Sequence, residues 1–162
     1  MDDATATQTA GTVENFGIEI GNAMGWPRMA GRVLATLMLH DGPMSMKQLQ
    51  GTLGASAGAI SEMARLLDRN GVVTRVKIPN TRQIGYEYRH DAWLGCLQHQ
   101  IAITTQLLRL AESSSRTPEA KAKHAKGRFA DMSAYYTLIT KKLAEAEAGF
   151  TTRSTTAQQR QD

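Results

Sequence analysis

The sequence predicts a mainly α-helical fold with a small β-hairpin, in which a winged helix-turn-helix is joined to long dimerisation helices. Residues 45–89 support this with a pattern of helix, tight turn, helix and two short strands around a polar hairpin. The same residues include seven basic and three acidic side chains, so they account for the whole net charge of +4 of the 162-residue chain. Two long apolar helical patterns follow this segment.

These patterns divide the chain into four predicted segments. Residues 1–11 are small and polar and are expected to be disordered. Residues 12–90 form the winged helix-turn-helix domain, whose first helix contributes to a dimer interface. Residues 91–150 form a helical dimerisation arm, and residues 151–162 form a polar tail that is expected to be disordered.

Composition excludes several classes of protein. A hydrophobic content of 41% argues against a disordered chain, and the single Cys96 excludes an internal disulfide or a cysteine-rich metal site. The four histidines show no metal-ligand spacing, and no glycine-rich phosphate loop follows a strand. We therefore expect no enzyme, no metal and no cofactor. The acidic N-terminus and the short apolar stretches predict a cytoplasmic protein without membrane contact.

The first two helices are predicted to pack closely together. Thr12 is the expected N-cap of the first helix, and Gly17 and Gly21 would allow another helix to approach. Pro27–His40 forms the second helix. Its predicted buried stripe comprises Ala30, Val33, Leu34 and Leu37.

The helix-turn-helix is predicted from its caps. Ser45 and Gln48 have the spacing of a capping box, Gly54 marks the turn, and Ser56 caps the helix Ala57–Asn70. Leu49 and Leu53 are expected to face inward from the first of these helices. The predicted buried face of the second comprises Ile60, Met63, Ala64 and Leu67.

The wing is predicted as a hairpin. Val72–Ile78 and Ile84–Arg89 have the composition of strands, and Pro79-Asn80-Thr81 has the composition of a turn. The hairpin therefore ends in a polar, basic tip.

The long helices predict a homodimer. One helix begins after Asp91, and the other begins at Thr117-Pro118-Glu119 with a coiled-coil-like apolar spacing. An antiparallel pair of such helices can bury its apolar faces against the same pair of a second chain. The predicted interface residues are Val13, Phe16, Ile20, Leu97, Ile101, Leu108, Phe129, Met132, Tyr136, Ile139 and Leu143.

Double-stranded DNA is the predicted partner, because a small polar helix face followed by a basic hairpin suits a major groove and its edges. Arg65 can reach a guanine edge or a phosphate, Lys47 a phosphate, and Arg82 a minor groove. The alternatives are that Ser56 is only a cap and that the arginines are ordinary surface charges. The predicted DNA-binding residues are Lys47, Ser56, Ala57, Gly58, Ser61, Arg65, Arg75, Lys77, Asn80, Thr81 and Arg82.

A small-molecule effector is a further expectation. Trp26, Tyr88 and Trp93 can form an aromatic wall for an apolar or cationic ligand near the junction with the long helices. The alternative, which we prefer, is that the two tryptophans are packing residues.

The chain resembles the MarR-type winged-helix regulators, particularly the branch named for the glycine-betaine regulator GbsR. The resemblance rests on Gly25-Trp26-Pro27-Arg28-Met29-Ala30-Gly31-Arg32, Gly42-Pro43-Met44-Ser45, Ser56-Ala57-Gly58-Ala59-Ile60-Ser61, Leu66-Leu67 with Gly71-Val72-Val73, and Arg82 before Tyr86-Glu87-Tyr88.

This resemblance implies a homodimeric bacterial transcription regulator, often ligand-responsive, that acts as a sequence-specific repressor on a near-palindromic operator. Two residues depart from the family pattern. Members commonly have a lysine or another polar residue in place of Ala57, and a basic or small one near Glu62. The alternative function is therefore a winged-helix dimer that acts as a protein-interaction module without binding DNA.

Overall fold

The computed structural model describes residues 3–122 and 125–158. Over these residues the chain forms six α-helices, a three-stranded antiparallel sheet and a short 3-10 helix at Glu119–Lys121. The helices are α1 Asp3–Met24, α2 Arg28–Met38, α3 Met46–Leu53, α4 Ala57–Arg69, α5 Ala92–Ser114 and α6 Lys126–Gln158. The strands are β1 Met44–Ser45, β2 Val73–Lys77 and β3 Ile84–Tyr88.

The chain separates into two compact units, Met1–Trp93 and Leu94–Asp162. The first unit contains α1 to α4 and the sheet, and its order of helix, turn, helix and strand hairpin is that of a winged helix-turn-helix. The second unit contains most of α5 and all of α6. The sequence had placed the end of the winged domain at residue 90.

The core of the first unit is built around α2. The predicted stripe of this helix is confirmed, since all four of its residues are buried. Leu49 and Leu53 of α3 are buried as well, and so is the predicted inner face of α4. Apolar side chains recur at helical spacing on each of these helices, and shared burial of these faces holds the unit together.

Glycines bring α1 and α2 into close contact. A Cβ added at Gly31 would lie 2.8 Å from the Cα of Gly17, and one added at Gly21 would lie 3.1 Å from the carbonyl oxygen of Trp26. Any side chain at Gly31 would therefore force the backbones apart. The prediction that Gly17 and Gly21 permit a close helix approach is confirmed.

Two helices reach into the segments that were expected to be disordered. The first begins at Asp3 rather than at Thr12, and the Thr12 hydroxyl donates to the carbonyl oxygen of Gln8 at 3.0 Å. Thr12 therefore lies inside the helix, bonded to the preceding turn, and is not its N-cap. The last helix continues to Gln158, through much of the segment expected to be disordered. Residues 1–2 and 159–162 of the two predicted disordered segments lie outside the described residues.

The start predicted at Thr117 belongs to a different element. The Thr117 hydroxyl accepts from the backbone nitrogen of Ala120 at 3.3 Å, but the helix it serves is the short 3-10 helix. The long helix starts later, at Lys126. A proline after a capping residue favours the first turn of any helix, and it does not fix how far the helix continues.

Candidate nucleic-acid interface

The turn between α3 and α4 is fixed by three local signals. Ser45 and Gln48 form the predicted capping box, with the Ser45 nitrogen donating to Gln48 Oε1 at 2.8 Å. Gly54 adopts a left-handed conformation, with φ of 62°, that ends α3. The Ser56 hydroxyl then accepts from the Ala59 nitrogen at 3.3 Å and opens α4. The role of Ser56 as a helix cap is therefore confirmed.

The outer face of α4 is small at its start and charged further along. Ser56, Ala57 and Gly58 are exposed, and no long side chain projects from them. Arg65 is also exposed, and its Nη2 donates to the Ser61 hydroxyl at 3.0 Å. Because Ser61 lies one turn earlier, this bond directs the guanidinium towards the start of the helix.

The sheet has one strand more than the predicted hairpin. The central strand is β3, which pairs with β2 through Arg75 and Tyr86 and with β1 through Met44 and Tyr86. A Cβ added at Gly85 would lie 2.7 Å from the Met44 carbonyl oxygen, so only glycine admits this contact. Strand β1 has only two residues, which are too few to show a periodic pattern, so this strand was not predicted from the sequence.

The wing tip is held by its own hydrogen bonds. The Ile78 nitrogen donates to the Gln83 carbonyl oxygen at 3.0 Å, and Thr81 donates to the Ile78 carbonyl oxygen from both its nitrogen and its hydroxyl. Asn80 sits at the turn with φ of 60°, which asparagine tolerates better than most residues. A shallow, open depression of about 460 Å³ is lined by Lys77, Ile78, Pro79, Asn80, Thr81 and Arg82.

A second cleft joins α4 to the sheet. It has a volume of about 310 Å³ and is lined by Ser61, Ala64, Arg65, Asp68, Arg75 and Tyr86. The structure thus brings the predicted residues Ser61, Arg65 and Arg75 together. Asp68 and Tyr86 were missed as site residues. Helical spacing places Asp68 one turn beyond Arg65, and hairpin pairing places Tyr86 opposite Arg75, so both could have been found.

One basic residue of the wing already has a partner. Arg89 donates to both carboxylate oxygens of Asp91, at 2.8 and 2.7 Å. This bond lowers the pKa of Asp91 and raises the pKa of Arg89. Because its charge is balanced locally, Arg89 contributes less to the basic surface than its position in the sequence suggests.

The other predicted DNA-binding residues are also accessible. Lys47 is exposed on α3, and Arg75, Lys77 and Arg82 are exposed on the wing. Lys47 lines neither the wing-tip depression nor the cleft.

The predicted aromatic pocket is spread over three elements of the first unit. Trp26 is half-buried in the turn after α1, where its backbone nitrogen donates to the Gly21 carbonyl oxygen at 2.9 Å. Tyr88 ends β3, and burial raises its pKa. Trp93 is 43% exposed at the start of α5. A ligand site among these three residues stays a prediction.

The predicted dimer residues differ in accessibility. Val13 is only 8% exposed within the single chain, so it offers little surface to a second copy. The other ten are half-buried. Ile103, Leu110, Tyr135 and Leu138 of the same long helices are more exposed than these.

The described ranges contain neither a metal-binding cluster nor a membrane-spanning helix. In residues 3–122 and 125–158, no group of three or more His, Cys, Asp or Glu side chains is placed to hold a metal ion. In the same ranges, no helix combines the length and the apolar character needed to cross a membrane.

Comparison with known proteins supports the fold. No family model matches the chain. The HTH-type transcriptional regulator MmpR5 of Mycobacterium tuberculosis is 31% identical over 90 residues, which are 55% of this chain and 54% of that protein. The chain therefore spans about half the length of the curated relative it matches.

Two solved structures give the structural comparison. A crystal structure described as a transcriptional regulator aligns with a TM-score of 0.80 and 23% identity, covering 90% of this chain and 99% of the other. Wild-type MarR from E. coli aligns with a TM-score of only 0.43 and 15% identity, over 85% of this chain and 92% of its own. The first alignment confirms the predicted mainly helical, winged helix-turn-helix fold.

Proposed function

We propose that the protein is a homodimeric, sequence-specific DNA-binding transcription regulator. The observation that carries this proposal is the position of the excess positive charge. Arg65, Arg75, Lys77 and Arg82 are exposed along α4 and the wing of a winged helix-turn-helix. A concentrated basic surface of this kind attracts a polyanion, and the fold presents it as one helix followed by a hairpin. The partial match to an HTH-type transcriptional regulator adds support.

The recognition helix in this proposal is α4. Its exposed start has only small side chains, which allows the backbone to approach a major groove closely. Arg65 is a long basic side chain available for a base edge there, and its bond to Ser61 orients it before DNA arrives. Ser56 uses its oxygen as a cap acceptor and keeps its hydroxyl hydrogen free to donate to a phosphate.

The wing supplies the second part of the proposed contact. Arg82 and Lys77 border the depression at the wing tip, so this part of the hairpin can follow a minor groove or its phosphates. Arg75 faces the cleft beside α4, where it can bind a phosphate between helix and wing. Asp68 lies in the same cleft, and its carboxylate can hold the arginines in place while reducing their net attraction.

Several finer features belong to the same proposal. These are the GbsR-like branch of the MarR-type regulators, repression at a near-palindromic operator, a cytoplasmic location, the absence of enzymatic activity and a response to a small-molecule effector. The half-buried apolar residues of α5 and α6 support the homodimer, because a second copy would cover them.

The test is duplex binding measured as a function of salt concentration, on duplexes selected from a random pool. We expect the logarithm of the affinity to fall linearly with the logarithm of salt concentration. Arg82→Ala should weaken binding to all sequences and reduce this slope by about one. Arg65→Ala should cost about 1–3 kcal/mol on the selected duplex and relax sequence preference.

Arg116→Ala is the matched control, because Arg116 is exposed outside the winged domain. It should bind as the wild type does. Selection that enriches no sequence, together with binding that is insensitive to salt, would refute the proposed function. Normal binding by the Arg65 and Arg82 variants would refute only the assignment of residues.

The second candidate function is a protein-interaction module without DNA binding. The acidic side chains favour it, because Glu62 and Asp68 are exposed on the outer side of α4 and Ala57 adds no polar group. This function predicts no duplex binding at low salt. Glu62→Gln separates the two functions, since removing an acid should strengthen DNA binding if α4 faces phosphates.

A further inference from the structure

Arg32 of α2 connects three helices of the first unit. Its Nε lies 3.2 Å from the carboxylate of Glu14 on α1. Its Nη2 donates to the Leu53 carbonyl oxygen at 3.3 Å, at the end of α3. We call Glu14, Arg32 and the Leu53 carbonyl the Arg32 bridge.

The bridge ends at the turn that places α4. The residue after Leu53 is Gly54, whose left-handed conformation turns the chain from α3 towards α4. Carbonyl groups at the end of a helix have no partner inside the helix, so the guanidinium satisfies one of them. The Arg32 side chain is only 24% exposed. Partial burial strengthens its hydrogen bond to the Leu53 carbonyl oxygen and its ion pair with Glu14, in which Nε is close to the carboxylate without the alignment of a hydrogen bond.

The α1–α2 crossing leaves room for this side chain. A Cβ added at Gly17 would lie 2.5 Å from Cγ of Arg32, so the arginine stem crosses the bare backbone of α1 at that glycine. The close packing of the two helices and the reach of Arg32 thus depend on the same missing side chain.

A second arginine offers a contrast on the same helix. Arg28 also forms an ion pair with Glu14, but its side chain is 60% exposed. Its ion pair joins α2 to α1, whereas Arg32 continues to α3. Comparing the two separates the bridge from a simple surface ion pair.

We propose that Arg32 is a positioning residue that ties the turn of the helix-turn-helix to α1 and so fixes the orientation of the recognition helix. This inference rests on the proposed DNA-binding function. Since α1 is also expected to contribute to the dimer interface, the bridge connects that helix to the turn that precedes α4. Sequence-specific binding needs correct placement of α4, whereas non-specific attraction to phosphates does not. Loss of the bridge should therefore weaken sequence-specific binding more than non-specific binding.

The experiment compares Arg32→Gln with Arg28→Gln, each of which removes one charge from α2. Binding is measured by fluorescence anisotropy on a labelled duplex selected from a random pool and on a scrambled duplex of equal length. We expect Arg32→Gln to bind the selected duplex about tenfold more weakly, equivalent to about 1.4 kcal/mol, while binding to the scrambled duplex changes little. Arg28→Gln should leave the ratio of the two affinities unchanged.

Hydrogen exchange provides a readout that does not depend on DNA. The Gly54 amide donates to the Gln50 carbonyl oxygen at 2.9 Å, and it should exchange faster in Arg32→Gln than in Arg28→Gln or in the wild type. If Arg32→Gln folds poorly, Arg32→Lys serves in its place, because it keeps the charge but has one ammonium group in place of a fork of donors.

The same affinity ratio and the same Gly54 exchange in both variants would overturn the proposal. A wild-type protein that binds neither duplex would refute the proposed function instead. In that case the Gly54 amide would still test the bridge. Unchanged hydrogen exchange at this amide in Arg32→Gln would refute the bridge, and faster exchange would support the inference that Arg32 stabilises the turn.

Discussion

The two units bury apolar surface in opposite ways. Among the described residues, the large side chains that are fully buried lie in the first unit: Leu34, Leu37, Leu49, Ile60, Leu67, Val33, Val72 and Val73. In the second unit, the buried apolar residues among those described are the small Cys96, Ala111 and Ala120, while Leu110, Tyr135 and Leu138 are each more than 50% exposed.

This difference indicates that the first unit has a complete core and that the second does not. Burial of a large apolar side chain contributes about 1.5–3 kcal/mol, so eight such residues give the first unit a strong cooperative core. Helices that leave large apolar side chains in water are stabilised mainly when another surface covers them. A second copy is the covering surface that we propose.

The largest expected effect follows from truncating a buried side chain in the core of the first unit. Leu34 is fully buried, so Leu34→Ala should lower the free energy of unfolding by about 2–5 kcal/mol. Leu39→Ala removes the same atoms from a site of the first unit that is 56% exposed, and it serves as the matched control. Urea denaturation followed by circular dichroism measures both. Equal losses in the two variants would show that Leu34 does not belong to a packed core and would contradict the contrast between the units.

The next effect concerns association through the second unit. Ile139 lies in the predicted apolar seam of α6 and is half-buried in the single chain. If a second copy covers it, Ile139→Glu should raise the dissociation constant of the dimer at least about tenfold, because it buries a charge in an apolar contact. Lys141→Glu, at an exposed position nearby, should leave dimerisation unchanged. Sedimentation velocity checks this, and equal behaviour of the two variants would place the interface elsewhere.

The smallest effect is electrostatic and lies at the end of the first unit. The hydrogen bond from Arg89 lowers the pKa of Asp91 in the folded protein. This bond therefore stabilises the folded state fully above the ordinary aspartate pKa of about 3.9, and the stabilisation is lost as the pH falls through the lower folded-state pKa. The Asp91 side chain is 51% exposed, so solvent screening limits the gain to less than about 1 kcal/mol.

We therefore expect Asp91→Asn to destabilise the protein slightly at pH 7, by an amount that vanishes in strong acid and shrinks in high salt. Thermal unfolding across pH measures this, with Asp131→Asn as the control at an exposed carboxylate. A difference from the wild type that persists below the folded-state pKa would show that the bond is not its source.

For a physical reason, the sequence predicted the helix-turn-helix better than it predicted the ends of α1 and α6. Capping residues, glycine stops and apolar periodicity act locally, so Ser45, Gly54 and Ser56 marked the helix-turn-helix correctly. The bounds of the long helices were less accurate. Thr12 and Thr117 both have the chemistry of a cap, but whether such a residue opens a helix depends on what precedes it and on how far the helix continues.

Parts of the candidate site could be found only in three dimensions. The short strand β1 gives no periodic signal, and the contact of Arg32 with the Leu53 carbonyl joins residues far apart in the chain. Pairings of this kind depend on how the helices pack, which local propensity does not encode. The basic surface was found, because charge can be counted along the sequence.

The hydrogen-bonded wing tip has a consequence for the entropy of binding. A flexible hairpin would lose conformational freedom on entering a groove, at a cost of about 1–2 kcal/mol for each residue whose backbone becomes fixed. Here the Thr81 hydroxyl and the backbone of Ile78 already fix the turn. Much of this ordering is completed during folding, so in the proposed DNA complex Arg82 would approach from a preorganised loop and more of its interaction energy would be retained as affinity.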